Sequence, residues 1–151
     1  MIRTGIVPTL IQERFILTYS DLTDADGSQT FDLMTLAKGS IVKGVRIKEI
    51  TQFTNGAGGT CLCSVGSAAG AADTFASAYS IAAAVADTTA QMTSGWKAAT
   101  YAADTLQATI TSNANVNTMT AGAVAIDVEI QLWPDLTATG PAGNSTSGGL
   151  V

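Results

Sequence analysis

Histidine is absent from this 151-residue chain, and charged residues make up only 13% of it. The sequence therefore lacks the side chain that most often serves as a general base near neutral pH and as a transition-metal ligand. Serine–histidine–aspartate sites, cysteine–histidine sites and histidine-ligated zinc sites are all excluded. We expect no enzymatic activity and no cofactor.

Basic residues are also scarce, since seven stand against twelve acidic residues and give a net charge of −5. The composition thus gives no sign of a basic surface that would bind phosphate groups, and we expect no nucleic-acid partner. Residues 51–151 contain a single basic side chain, Lys97, and six acidic ones. Alanine, threonine, glycine and serine together supply 73 residues and cover surface that charges usually cover. Such a bland surface indicates a chain that is buried in an assembly.

Cysteine occurs only at Cys61 and Cys63. In a strand this spacing places both thiols on one face, and two cysteines at C-x-C spacing form neither a four-cysteine metal site nor a C-x-x-C redox motif. We expect two small buried side chains without a disulfide, which fits assembly inside a cell. The longest apolar run is six residues, Ile81–Ala86, far short of the ~20 of a membrane helix. We expect no membrane partner and no secretion signal.

Alternation of apolar and polar residues predicts six strands. In Ile41–Phe53 the polar residues Glu49 and Thr51 occupy the apolar register, which predicts a bulge at that point. The turn Asp21–Ser28 is rich in aspartate, and we expect Gly27 to supply left-handed backbone geometry there. The predicted strands are Glu13–Tyr19, Gln29–Leu36, Ile41–Phe53, Thr60–Gly66, Thr105–Thr111 and Ala123–Trp133.

These strands predict an all-β fold, a two-sheet antiparallel β-sandwich with at most one short helix. Their irregular spacing favours a jelly roll over an up-and-down barrel, and an immunoglobulin-like sandwich is the alternative, although its Cys…Trp…Cys signature is absent. The segment Ser67–Ala103 allows two interpretations. One is a helical turn around Asp73–Ile81 that begins at Asp73 or Thr74, and the other is a loop-rich crossing with one short strand.

The chain divides into three parts by composition. Residues 1–12 are predicted to form an extended arm, because Pro8 interrupts a continuous ladder of backbone hydrogen bonds. Residues 13–137 form the predicted sandwich. Residues 138–151 are rich in glycine, serine and threonine, which is typical of a flexible tail.

Two groups of acidic residues are candidates for a chemical site. The four aspartates of the first turn and second strand suggest calcium ligands, but the full D-x-D-x-D-G loop and its distant glutamate are missing. Turn chemistry explains these aspartates without an ion. Asp127 and Glu129 alternate with a row of core residues, so we expect an outward polar face there rather than acid–base catalysis. The four aspartates are Asp21, Asp24, Asp26 and Asp32.

Seven residues are candidates for an interface. They are either basic residues of the third strand or apolar and basic residues of the arm, together with one loop tryptophan. Arg46 and Lys48 share one face of the strand, whereas Lys43 lies on the other face if no bulge intervenes; protection of a strand edge is the alternative role of these lysines. Trp96 either covers the end of the sandwich or anchors an intersubunit contact. The candidates are Arg3, Ile6, Val7, Lys43, Arg46, Lys48 and Trp96.

Two stretches of sequence carry a resemblance to a known family. The first reads Tyr-x-Asp-Leu-Thr from Tyr19, Gln-Thr-Phe-Asp-Leu from Gln29, and Leu-x-Lys-Gly-Ser-x-Val-x-Gly-Val-Arg-Ile-Lys from Leu36. The second reads Leu-x-Ala-Thr-Ile-Thr from Leu106 and Met-Thr-Ala-Gly-x-Val-x-Ile-Asp-Val-Glu-Ile from Met119. Over residues 13–135 the chain resembles small virion proteins of tailed bacteriophages. These are jelly-roll-like modules found as capsid decoration (cement) proteins, head fibres and pieces of tail fibres.

The resemblance implies a structural role and a symmetric, usually trimeric, accessory protein. We expect a decoration protein that binds and stabilises the assembled phage head, with other copies of itself and the major capsid protein as partners. It would lie on the capsid surface after assembly in the bacterial cytoplasm. The alternative is a receptor- or carbohydrate-binding module of a tail or fibre, for which Tyr79, Trp96 and Tyr101 are the candidate aromatic platforms.

Overall fold

A computed structural model describes residues 8–54, 59–71, 75–82, 89–90 and 103–132. These residues form eight strands and two single-turn 3-10 helices, at Tyr19–Asp21 and Val116–Thr118, with no α-helix among them. Within the same residues, no helix has the length and apolar character needed to cross a membrane. The strands are β1 (Thr9–Thr18), β2 (Ser28–Leu36), β3 (Ile41–Thr54), β4 (Cys61–Ser67), β5 (Ala76–Ser80), β6 (Thr89–Ala90), β7 (Asp104–Ser112) and β8 (Ala121–Leu132).

The strands form two four-stranded antiparallel sheets. The first sheet has the order β1-β8-β3-β6 and the second has the order β2-β7-β4-β5. The predicted all-β sandwich of two antiparallel sheets is therefore confirmed. The pairs β1·β8, β2·β7, β3·β6 and β4·β5 are nested, as if one long hairpin had been folded over into two layers.

The core lies between the sheets and comes mainly from their central strands. The predicted inward row of β8 is buried from Val124 to Ile130, and the inward row of β7 is buried from Leu106 to Ile110. Cys61 and Cys63 are buried in β4 as free thiols, as predicted. Burial raises the pKa of the Cys61 thiol to about 11 and, with the nearby Cys61 as a lesser cause, that of Cys63 to about 12. Both side chains thus serve as small apolar residues.

The first strand is longer than its sequence pattern predicts. It begins at Thr9, and residues 9–12 of the predicted arm pair with residues 129–132 of β8. The strand extends because Pro8 precedes the ladder instead of interrupting it, and the long β8 offers partners as far as Leu132. Residues 1–7 and 133–151, which include the rest of the arm and the predicted tail, lie outside the described residues.

The described residues of the middle of the chain contain the strands Ala76–Ser80 and Thr89–Ala90 and no helix, so the helical interpretation of Asp73–Ile81 is wrong for residues 75–81. Phe75 N–H donates to the carbonyl of Val65 at 2.9 Å, and Ile81 N–H donates to that of Cys61 at 2.9 Å. Phe75 and Ile81 are both buried. Pairing with β4 and burial of these two anchors override the local helix preference of the alanine-rich sequence.

Gly27 corrects an expectation about the first turn. Among the described glycines, Gly39 and Gly122 have positive φ, and Gly27 does not. Gly27 is needed for close approach instead, since its carbonyl accepts from Ser112 N–H at 2.7 Å and a Cβ there would lie 3.0 Å from the Ser112 carbonyl oxygen. The Gln29 side chain organises the turn, accepting from Thr23 N–H at 2.8 Å and donating to the Asp21 carbonyl at 3.1 Å.

Candidate interface on the outer face of the first sheet

The outer face of the first sheet is built from side chains that alternate with the core residues of β1, β8 and β3. Register pairing aligns them in five rows across these strands. From one end to the other the rows are Leu10–Gln131–Ile41, Gln12–Glu129–Gly44, Arg14–Asp127–Arg46, Ile16–Ala125–Lys48 and Thr18–Ala123–Thr51. Most of the charged side chains lie in the second and third rows. The first and fourth rows contain the aliphatic side chains of Leu10 and Ile16.

Three register shifts of β3 against β8 shape this face, the last of them between Thr51 and Thr54. The predicted bulge at Glu49–Thr51 is confirmed by a register shift against β8 between these residues. A second shift, between Val42 and Gly44, has no signal in the sequence pattern. Because Val42 and Val45 are both buried, the extra residue Lys43 stays on the outer face. Lys43 therefore joins Arg46 and Lys48 on one surface, in place of the opposite face expected without a bulge.

Hydrogen bonds between neighbouring strands organise the charges. Arg14 binds Asp127 through two bonds, from Nε to Oδ1 at 2.5 Å and from Nη2 to Oδ2 at 2.8 Å. The hydrogen bond from Arg14 holds the pKa of Asp127 below its usual range, with further attraction from Arg46 and Lys48 and against the effect of partial burial. Gln12 Nε2 donates to Glu129 Oε2 at 3.0 Å. Both carboxylates of β8 are therefore held by residues of β1 as hydrogen-bond acceptors.

A shallow depression of about 580 Å³ lies across the charged rows. It forms where Gly44 contributes no side chain between its neighbours on β3 and β8. A Cβ at Gly44 would meet only the Cβ of Glu129, at the ordinary contact distance of 3.8 Å. The depression is lined by Gln12, Glu13, Arg14, Lys43, Gly44, Val45, Arg46, Asp127, Val128 and Glu129.

Apolar side chains are exposed around the charged rows. Leu10 is 53% exposed and Ile16 is 55% exposed, and both belong to this face. Ile50, at the confirmed bulge of β3, is 54% exposed. Gln131 is only 8% exposed although it alternates outward with Ile130, and its Oε1 atom has no hydrogen-bond partner. Exposed aliphatic groups next to charged ones are typical of a face that a partner covers.

The structure thus brings together three of the seven candidate interface residues, Lys43, Arg46 and Lys48. The other four, Arg3, Ile6, Val7 and Trp96, lie outside the described residues. The candidates did not include Arg14 or Gln12, which complete the face. Their positions alternating with Phe15 in β1 were the available signal, but only the pairing of β1 with β8 places them beside Asp127 and Glu129.

Asp21 and Asp32, two of the other acidic candidates, make contacts in a turn and across two strands. Asp21 Oδ2 accepts hydrogen bonds from Thr18 N–H and Thr18 Oγ1, both at 2.8 Å, and so caps the first 3-10 helix. Asp32 Oδ1 accepts from Gln107 Nε2 at 2.7 Å. In the part of the chain that the structure describes, no three acidic or cysteine side chains are grouped to hold a metal ion.

The fold is similar to that of chains in solved bacteriophage capsids. A chain of the cyanophage Pam1 capsid asymmetric unit matches with a TM-score of 0.63 and 21% sequence identity, over 87% of this chain and 91% of that chain. A chain of the acidic stable capsid of the Helicobacter pylori bacteriophage KHP30 matches with a TM-score of 0.54 and 17% identity, over 83% and 94%. Neither a protein-family model nor a curated protein matches the sequence. At these identities the likeness is one of fold.

Proposed function

We propose that this chain is a non-enzymatic structural protein of a bacteriophage virion. More specifically, we propose a capsid decoration (cement) protein that binds the surface of the assembled head as a trimer, after assembly in the bacterial cytoplasm. The observation that carries the proposal is the match of 87% of the chain to a phage capsid chain, with 91% of that chain covered in return. Coverage this complete in both directions means that a whole module, and not one motif, is shared.

The strand order supports the interpretation of the sandwich as a jelly roll. In the nested pairing β1·β8, β2·β7, β3·β6 and β4·β5, successive pairs alternate between the sheets, so that each sheet contains two whole pairs. Two four-stranded sheets built from two Greek keys define a jelly roll, an architecture found in viral capsid domains and in lectins. The fold therefore suits a shell protein but does not by itself choose between these two classes.

The proposed mechanism is burial of surface. A protein that binds only the assembled shell stabilises that shell by mass action, as any ligand of a folded state does. Each protomer would bury its charge-poor outer surface against two other copies of the chain and against the major capsid protein. We propose that Arg3, Ile6 and Val7 of the arm, together with Trp96, contribute to these contacts.

Binding to heads tests the proposal directly. Phage heads that lack the chain are mixed with purified protein and sedimented, in parallel with unassembled major capsid protein. We expect binding to the heads and an increase in their resistance to heat or chelators, with little binding to the unassembled subunit. A chain that is absent from purified virions and does not bind heads would contradict the proposal.

The second candidate is a carbohydrate- or receptor-binding module. It is favoured by the polar lining of the depression, which holds amide, carboxylate and guanidinium groups together. Of its three candidate aromatic platforms, Tyr79 is described and half-buried, whereas Trp96 and Tyr101 lie outside the described residues. Specific signals on a glycan array or adhesion to host cells, without binding to heads, would favour this candidate over a decoration protein.

A further inference from the structure

We infer that the outer face of the first sheet docks against the Asp21–Asp26 turn of a second copy of this chain. The inference deepens the proposed function, because it names the two surfaces through which the proposed trimer would close. It rests on charge segregation, on the exposed side chains of the face, and on how firmly the turn is held.

Most cations of the described residues lie on the outer face, and the turn has aspartates and no cation. Arg14, Lys43, Arg46 and Lys48 all lie on the outer face, and Lys38 is the remaining cation of the described part. The face also contains two carboxylates, which accept hydrogen bonds from Arg14 and Gln12. The face therefore has an excess of positive charge although the chain has a net charge of −5.

The acidic surface lies in the turn between the first and second strands. Residues 19–27 contain three aspartates and no lysine or arginine. The side chains of Asp24 and Asp26 are exposed, while their backbone carbonyls accept from Asn117 N–H at 3.1 Å and Val116 N–H at 2.8 Å. The turn is thus anchored to the second 3-10 helix, and little conformational entropy would be lost when a partner binds it.

The face has the composition of a contact surface, and the opposite side of the sandwich does not. Leu10, Ile16 and Ile50 are exposed on the first sheet. The outer residues that pair across the second sheet are polar, such as Thr30 with Thr109 and Asp32 with Gln107. No large exposed hydrophobic residue of the described part belongs to a strand of the second sheet. An apolar area bordered by charges is the usual anatomy of a specific interface.

The two surfaces are different parts of the molecule, so the contact between copies is heterologous. The turn follows the end of β1 beyond Thr18, whereas the charged rows lie in the middle of β1, β8 and β3. A heterologous contact generates a closed ring when its rotation closes, and a trimer is one such ring. The carboxylates of Asp24 and Asp26 in one copy would face Arg46 and its basic neighbours in the next.

A charge exchange tests the inference. The mass of the chain in solution is measured by sedimentation for the wild type and for Arg46→Glu/Lys48→Glu, Asp24→Lys/Asp26→Lys, the fourfold combination and the control Lys38→Glu. We expect the wild type and the control to form the same multiple of 15.3 kDa. Each double variant should raise the dissociation constant by about 100-fold, because like charges then face each other. The fourfold variant should recover most of the association.

A further variant distinguishes loss of self-association from loss of the folded state. Gly44→Leu fills the depression, and its Cβ meets nothing closer than 3.8 Å, so the fold should keep its thermal stability. We expect it to lose self-association while remaining folded. A monomeric wild type, double variants with unchanged mass, a fourfold variant that stays dissociated, or full association of Gly44→Leu would each overturn the inference.

Failure of this inference is distinguishable from failure of the proposed function. If the wild-type protein is monomeric in solution but binds heads, the inferred contact is wrong and the proposed decoration role is supported. If the protein forms the charge-dependent ring but does not bind heads, the inferred contact is supported and the proposed decoration role is wrong. The two assays use the same purified chain and share no readout.

Discussion

At the scale of single residues, the fold depends on a few positions where the backbone and a side chain come unusually close. Gly122 in β8 has a φ of 145°, and a Cβ at this position would lie 2.3 Å from the ring of Phe53. The buried Phe53 ring therefore covers the glycine directly. Neither feature is visible in the alternation of the sequence, because glycine interrupts the pattern without indicating why.

We predict that Gly122→Ala destabilises the protein by about 2 kcal/mol or more, since the new methyl group forces Phe53 out of place and strains the backbone. The free energy of unfolding, measured with denaturant, provides the test. Gly44→Ala is the matched control, because its Cβ meets only ordinary contacts and its stability should be unchanged or slightly higher. Equal stability of the two variants would contradict this account of Gly122.

The two cysteines give a second prediction at this scale. Burial raises the pKa of both thiols well above neutrality, so neither should react with a thiol reagent at about pH 8 while the chain is folded. Mass spectrometry after alkylation should show no adduct in buffer and two adducts in denaturant. Rapid modification of the folded protein, or a change of thermal stability on adding a reductant, would show that the thiols are exposed or paired.

At the scale of elements, the register of β1, β8 and β3 turns separate charges into one surface. Asp127 lies between Arg14 and Arg46 in the central row, and its carboxylate offsets the repulsion between these two cations. The bulge at Lys43 adds a further cation to the same face. Cross-strand rows of this kind are the usual unit of side-chain interaction in a sheet.

We predict that Asp127→Asn lowers stability near neutral pH and does so more strongly at low salt. The folded-state pKa of Asp127 is depressed, so its contribution is present above the unfolded pKa and is lost as the pH falls through the folded value. The difference between variant and wild type should therefore shrink as the pH falls below the ordinary aspartate pKa of about 3.9. Denaturant midpoints at two pH values and two salt concentrations measure this.

Asp32→Asn is the control for this experiment. Asp32 accepts a hydrogen bond from Gln107 on the second sheet, where the described strands carry no cation. We expect its effect on stability to depend little on salt. An effect of Asp127→Asn that is independent of both salt and pH would mean that the row does not act through charge.

At the scale of the whole molecule, the nested pairing makes most contacts non-local. Arg14 and Asp127 are 113 positions apart in sequence and yet form an ion pair. The two strands of the innermost pair, β4 and β5, are closer in sequence than those of the outer pairs. This inner hairpin can therefore form before the outer strands pair. Pairing of the outer strands closes long loops, and the chain loses conformational entropy before the contacts between these strands stabilise it.

We predict that the chain refolds in milliseconds to seconds, as is usual for folds dominated by long-range strand pairing. Stopped-flow fluorescence of the tryptophans after dilution from denaturant measures the rate. A variant in the β4·β5 hairpin, such as Val65→Ala, should slow folding, whereas Leu17→Ala in β1 should mainly speed unfolding. Refolding in microseconds, or the opposite partition of these two effects, would contradict the nested order of assembly.

Alternation along the chain is enough to predict the two-sheet sandwich and the inward-facing residues of β4, β7 and β8. A period of two assigns each residue to a face without reference to any other part of the chain. Strand boundaries, pairing and the position of the second bulge come from packing between distant parts of the chain. The partner strand sets the start of β1, pairing with β4 makes β5 a strand, and a bulge with no sequence signal brings Lys43 beside Arg46. These features depend on contacts between distant residues, and local alternation contains no information about them.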